Sequence, residues 1–234
     1  MAKDCELTFT VGQDFRRYGT VVAAQEGAWI HHVSDAPFLG QDIELGEGAY
    51  LGFHAEAEAQ ASAEREEGVV LAGELRLTGN ATLRADYEHG AAVGENPRIP
   101  RFIAVGGIHA TEPDITLIVD APTHQVTGGA TQAADTGKKF VDWNCLTTNL
   151  TGTNLHLWKT GPGTVTFFST EPPSVSGKVT VEEGTLAVTA AANTPIGAQG
   201  LHVKEGATLA DSGRMAGESR RLAIIPGGQT LSGG

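Results

Sequence analysis

The chain has 234 residues, 31 of them glycine, with 19% charged residues and a formal net charge of -12. Glycine at that density leaves few stretches that a helix would tolerate, because each interior glycine costs a helix about 1 kcal/mol. The acidic balance repels phosphate backbones and anionic lipid, which argues against nucleic acid as a partner, and no stretch approaches the roughly 20 apolar residues of a membrane span.

In chain order, Leu7-Thr8-Phe9-Thr10-Val11 comes first, with no apolar signal core before it. Cys5 and Cys145 are too far apart for a CxxC motif and too few for a structural zinc site. They either pair across the fold or stay as two free thiols, the simpler reading. His31-His32 with Asp35, and His54 with Glu56, are candidates for a metal or an acid/base pair. Neighbours on a strand face opposite ways, so His31 and His32 cannot share one ion from a regular strand.

Asp42 to Leu51 and Glu74 to Leu83 both run apolar, polar, apolar, glycine turn, apolar. Between them, alanine alternates from Ala55 to Ala63 with Glu56, Glu58, Gln60 and Ser62. That suits a strand with a small inner face, although Ala and Glu also favour helix. Phe102 to Val105 and Ile115 to Val119 are strands by β-branched content. The stretches from Tyr87 to Arg101 and from Pro122 to Lys139, rich in glycine, proline or polar residues, read as loops protruding from the stack.

The C-terminal third carries a repeat. Val179-Thr180-Val181-Glu182-Glu183-Gly184-Thr185-Leu186 is echoed from Leu201 through Gly206 to Leu209, and again from Ala223 through Gly228 to Leu231. A fourth echo runs from Leu155 to Gly163-Thr164-Val165. Gly163, Gly184, Gly206 and Gly228 fall at one register, where a corner demands a backbone that glycine adopts without penalty. No single unit buries its own apolar face, so the units must stack, with Val181, Val203 and Ile225 forming one internal column at a spacing of about 4.8 Å. The expected architecture is all-β: a parallel β-helix, or β-solenoid, of about 22 residues per coil. Residues 155–234 form its regular coils and residues 1–154 less regular ones, in one continuous solenoid.

The run from Lys178 to Val188, followed by Ala192-Asn193-Thr194-Pro195-Ile196-Gly197 and then Leu201 to Ala210, resembles the autotransporter-associated β-strand repeat. Gly161-Pro162-Gly163-Thr164-Val165-Thr166-Phe167 is similar to it as well. The likeness covers about 155–234 and departs from the family pattern at Ser169-Thr170-Glu171-Pro172-Pro173. It implies a right-handed parallel β-helix and an exported, cell-surface bacterial protein whose signal and membrane anchor lie elsewhere. The partners it suggests are the rest of a longer chain, surface glycans or a neighbouring cell, and other copies meeting end to end.

Catalysis finds little support. β-Helical lyases and hydrolases need clustered carboxylates, for calcium or for flanking a glycosidic bond. Glu88, Glu112, Asp114 and Asp120 could serve, but nothing in their spacing singles them out among 28 acidic residues. Neither a phosphate loop nor a nucleophile elbow nor an HExxH helix occurs in the sequence. Trp29, Trp143 and Trp158, with Tyr18 and Tyr50, could make a sugar-stacking platform if they met on one flank; core packing is the plainer expectation. The reading is a non-catalytic stalk or adhesive display segment that requires no cofactor, with a carbohydrate-active or glycan-binding β-helix, calcium included, as the alternative.

Overall fold

The computed structural model describes residues 3–9, 20–33, 42–54, 69–85, 101–122, 142–169, 175–190, 197–211, 223–226 and 229–231. Among them there is no helix, and the strands assemble into three sheets. Strands are numbered along the chain. Sheet A stacks β1 (Glu6–Phe9), β3 (Trp29–Val33), β5 (Tyr50–His54), β8 (Ala81–Ala85), β11 (Thr116–Asp120), β14 (His156–Thr160), β16 (Val179–Val181), β18 (Leu201–Val203) and β21 (Gln229–Leu231). Sheet B stacks β2 (Val21–Ala23), β4 (Ile43–Leu45), β7 (Leu75–Leu77), β10 (Ile108–Ala110) and β13 (Leu150–Thr151). Sheet C stacks β6 (Val69–Leu71), β9 (Arg101–Ala104), β12 (Trp143–Thr147), β15 (Thr164–Ser169), β17 (Thr185–Ala190), β19 (Thr208–Asp211) and β20 (Ala223–Pro226).

Every pairing up to β19 is parallel and joins strands from successive turns of the chain. Parallel neighbours cannot be joined by a hairpin, so each turn must travel round the other sheets before it returns. The result is a solenoid-like stack around one apolar interior. Leu51, Leu83, Val119, Lys159, Val181 and Val203 lie in one register column of sheet A, and all six are buried.

The chain length between column partners is not uniform. Val119 and Lys159 are 40 residues apart, as are their neighbours Asp120 and Thr160. Lys159 to Val181 and Val181 to Val203 are 22 each, the interval of the Glu182–Lys204 ion pair that bridges the same turns. One change explains the drop: the passage from sheet A to sheet C shortens, residues 55–68, 86–100 and 121–142 making it in the earlier turns and 161–163, 182–184 and 204–207 in the later ones. Among the described residues sheet B ends at β13. The alternating segment from Ala55 to Ala63, and nearly all of the two long loops expected from the sequence, fall in those longer passages and lie outside the described residues.

Ile225 does not join the column of Val181 and Val203. After β19 the chain turns back: β20 pairs antiparallel with β19, placing Ile225 opposite Leu209 in sheet C, and β21 pairs antiparallel with β18, placing Gln229 opposite Val203. This reversal pairs the edges of β18 and β19, which would otherwise present unpaired backbone groups to another chain.

The corner glycines divide similarly. Gly184 and Gly206 have φ of 66° and 80°. At the preceding corner the left-handed residue is Gly161, with φ of 75°, and not Gly163, whose amide donates to the Ala121 carbonyl and whose carbonyl accepts from Thr185. Gly228 lies outside the described residues.

Cys145 is buried on β12, and Cys5 is exposed just before β1; both are free. The separation explains why. β12 follows β11, which lies four strands along sheet A from β1, about 19 Å at the usual strand spacing and far beyond the roughly 7 Å a disulfide allows. Burial also pushes the Cys145 thiol well above its ordinary range. A thiol reagent at neutral pH therefore labels one cysteine in the folded protein and two after denaturation. Two labels without denaturant would contradict this packing.

Candidate functional site

The three tryptophans do not meet. Trp143 points inward, fully buried, with its indole N–H donating to the Asp120 carbonyl at 2.8 Å. Its ring meets Phe53 edge-on at 5.1 Å, and Phe53 lies 5.3 Å from Phe102. Ala85, the register partner of Phe53, is a buried alanine, which leaves space for the rings arriving from sheet C. Trp143 is thus a core residue, unable to touch a ligand, and that corrects its place on a sugar platform.

Trp29 and Trp158 do share the outward register of sheet A, in the column Trp29, Tyr50, Thr82, Ile118, Trp158. Four strand spacings, about 19 Å, separate them. Trp29 and Tyr50 stack on each other, centroids 5.2 Å apart and planes 23° apart. That ladder turns one face of each ring toward the other, so those faces are not offered to a sugar. Trp158 is different: 38% exposed, it lies between Ile118 and Thr180 with His202 one strand further on. Tyr18 lies outside the described residues.

The carboxylates suggested for catalysis are not a pair. Asp114 and Asp120 bracket β11, six residues or about 20 Å apart in extended chain, against the roughly 5–9.5 Å that flanks a glycosidic bond. Glu112 is exposed beside Asp114, and Glu88 lies outside the described residues. Asp120 accepts the Thr160 hydroxyl at 2.9 Å. His156 approaches Asp114 at 3.9 Å, but its Nδ1 accepts the Lys178 amide at 2.6 Å. With that nitrogen engaged by backbone, the pair reads as a corner fastening between turns.

On sheet B, Glu44, Arg76, His109 and Thr151 follow one another in outward register. Arg76 donates to Glu74 at 3.0 Å and Asp42 at 2.8 Å; its pKa is raised, first by the Glu74 hydrogen bond and then by the Asp42 charge. His109 bonds Thr151 at 2.7 Å and the Gly106 carbonyl at 3.1 Å. Arg76 and His109 are thus each engaged by neighbouring groups. No cluster of three or more His, Cys, Asp or Glu arranged for a metal occurs among the described residues. His31 and His32 stand opposite Gly52 and Phe53 in adjacent registers of β3 and β5, and Asp35 lies outside the described residues.

The site that sequence reasoning missed is inside. Lys159 has no exposed surface, and its Nζ donates to the carbonyls of Thr160 at 2.7 Å, Gly161 at 2.6 Å and Glu183 at 3.1 Å. The signal was present: Leu155, Leu157 and Lys159 share one parity, and Leu155 and Leu157 are core residues. Desolvation lowers its pKa to about 8 against the opposing influence of Asp120, Glu183 and Asp142. A lysine with a lowered pKa is a recognised nucleophile, but one with no exposed surface reaches no substrate.

No protein-family model, no curated protein and no solved structure matches this chain.

Proposed function

We propose that the chain is a non-catalytic segment of a large secreted or surface-exposed bacterial autotransporter-like protein, serving as a rigid stalk or adhesive display surface. The observation that carries the reading is the unbroken parallel register of sheet A from β1 to β18, which ties eight successive strands to one interior. A stack of that kind is stiff along its axis, because each turn is hydrogen-bonded to the next. On this reading the coils wind right-handedly, with about 22 residues each from residue 155 to the reversal after β19, as the repeat family would have it. The working environment is extracellular, and the partners are the rest of a longer chain, a cell surface, and other copies meeting end to end.

The second reading, glycan binding, rests on Trp158, whose exposed ring lies in its column between Ile118 and Thr180, with His202 beyond Thr180. A calcium ion would belong to the carbohydrate-active form of that reading. One set of measurements separates the possibilities: adhesion of protein-coated beads to cells, a glycan array, and an assay for new reducing ends and unsaturated products. Adhesion without turnover is the expected result. Polysaccharide cleavage that disappears when one acidic pair is neutralised would overturn the stalk. Saturable glycan binding abolished by Trp158→Ala, with no cleavage, would favour the second reading.

A further inference from the structure

Among the described residues the interior holds one charged side chain, Lys159. Lys159 sits between Val119 and Val181 in an otherwise apolar column, at the turn where sheet B ends and where the first tight passage from sheet A to sheet C occurs. Its three acceptors come from two successive corners: Thr160 and Gly161 from its own turn, Glu183 from the next. An ammonium has three N–H donors, so all three are used.

The apolar pattern leaves register in these later turns underdetermined. A one-residue slip would turn Val179, Val181, Leu186 and Val188 outward and is forbidden by their burial. A two-residue slip preserves the alternation, so hydrophobicity alone discriminates weakly against it. In earlier turns a third sheet helps to fix the alignment; beyond β13 it has no strand among the described residues. A directional contact at one point removes that ambiguity, because sliding β16 by two residues carries the Glu183 carbonyl about 6.6 Å away from Nζ. Gly184 lets the corners approach this closely: a Cβ there would lie 2.3 Å from the Gly163 carbonyl oxygen and 2.7 Å from that of Gly161.

We propose that Lys159 is an internal register clamp that locks the turns of β16 to β19 onto the three-sheet turns before them. Its charge is expensive and is retained for alignment, the best-attested use of a buried ionic group. Asp120 from the preceding turn, Asp142 ahead of β12 and Glu183 from the following corner surround the site and offset part of that expense.

The test uses the whole chain. Lys159→Met keeps the volume and removes the donors. Amide exchange should then speed up by about tenfold or more in β16 to β19 while β7 to β11 keep their protection. Equal loss in both regions, or none in either, would overturn the clamp. A second measurement needs no variant: the Lys159 ammonium nitrogen in wild-type protein should show slowly exchanging protons by NMR. Exchange at the rate of the surface lysines would also overturn it. The sign of the pH dependence is fixed. The folded-state value of about 8 lies below the ordinary lysine value near 10.4, so the native state releases the proton first. The cost of the buried charge is therefore present in full below about pH 8 and is relieved between there and pH 10.4. Across that window wild-type stability should rise relative to Lys159→Met; a flat difference would mean that the ammonium is not desolvated.

Discussion

Trp143→Ala should lower stability by about 3–5 kcal/mol, the usual result of emptying a fully buried aromatic position, while Trp158→Ala should cost no more than about 1 kcal/mol, the scale of one cross-strand contact. The two residues are alike in sequence context, each opening or interrupting an alternating strand. Their surroundings differ completely. Trp143 fills space bounded by Phe53 and Phe102 and supplies a hydrogen bond to the Asp120 carbonyl, whereas Trp158 has 38% of its surface in solvent. Removing Trp143 therefore leaves a cavity and forfeits that hydrogen bond. Denaturant melts of the two variants read the contrast directly, and equal losses would mean that the core around β12 is not packed as described. Because each turn contacts chiefly its neighbours, the Trp143→Ala transition should also broaden, as the turns around β12 open before those at either end. The same pair serves the functional question, since a change in ligand binding on Trp158→Ala at unchanged stability reports on the surface alone.

The contrast also shows where sequence reading stops. Alternation in Leu155-His156-Leu157-Trp158-Lys159 fixes which side chains go in and which go out, and the parity places Trp158 outside and Lys159 inside. Chemistry suggests the opposite for the lysine, and only the carbonyls of Thr160, Gly161 and Glu183 show how the charge is tolerated. Parallel stacking was legible at Val181 and Val203 because their spacing repeats. It was not legible between Leu83, Val119 and Lys159, where the passages between sheets vary in length and nothing in a strand names its partner. Ile225 was misplaced for a further reason. Parallel and antiparallel pairs share a period of two residues, so the echo from Ala223 to Leu231 carries no sign of the chain's reversal. At Gly161-Pro162-Gly163 the sequence offers two glycines for one left-handed corner, and composition cannot choose between them. As for the candidate site, the three tryptophans were legible as residues with aromatic faces, but their faces are set by the stack: one buried, one turned against Tyr50, one exposed.

Two glycines at the same repeat position should respond very differently to one methyl group. Both Gly184 and Gly206 hold φ in the left-handed region, so alanine at either pays the backbone penalty of about 1–2 kcal/mol. At Gly206 nothing among the described residues lies within 4 Å of the added carbon, and the loss should stop there. At Gly184 the methyl would come within 2.3, 2.6 and 2.7 Å of the carbonyl oxygens of Gly163, Pro162 and Gly161. These are backbone atoms of the adjoining corner, which cannot rotate aside as a side chain would. The corner must move, and with it the Gly161 carbonyl that Lys159 holds and the Thr185 to Gly163 hydrogen bond that starts the pairing of β15 with β17. Gly184→Ala should therefore cost about 3 kcal/mol or more, beyond the backbone penalty alone, and loosen β16 to β19 preferentially. Gly206→Ala should leave the protein within about 2 kcal/mol of wild type. Equal destabilisation by the two would show that the corners do not approach as closely as a stack of successive turns requires. A mild Gly184→Ala would separate the corner from the clamp, since alignment through Lys159 depends on that same close approach.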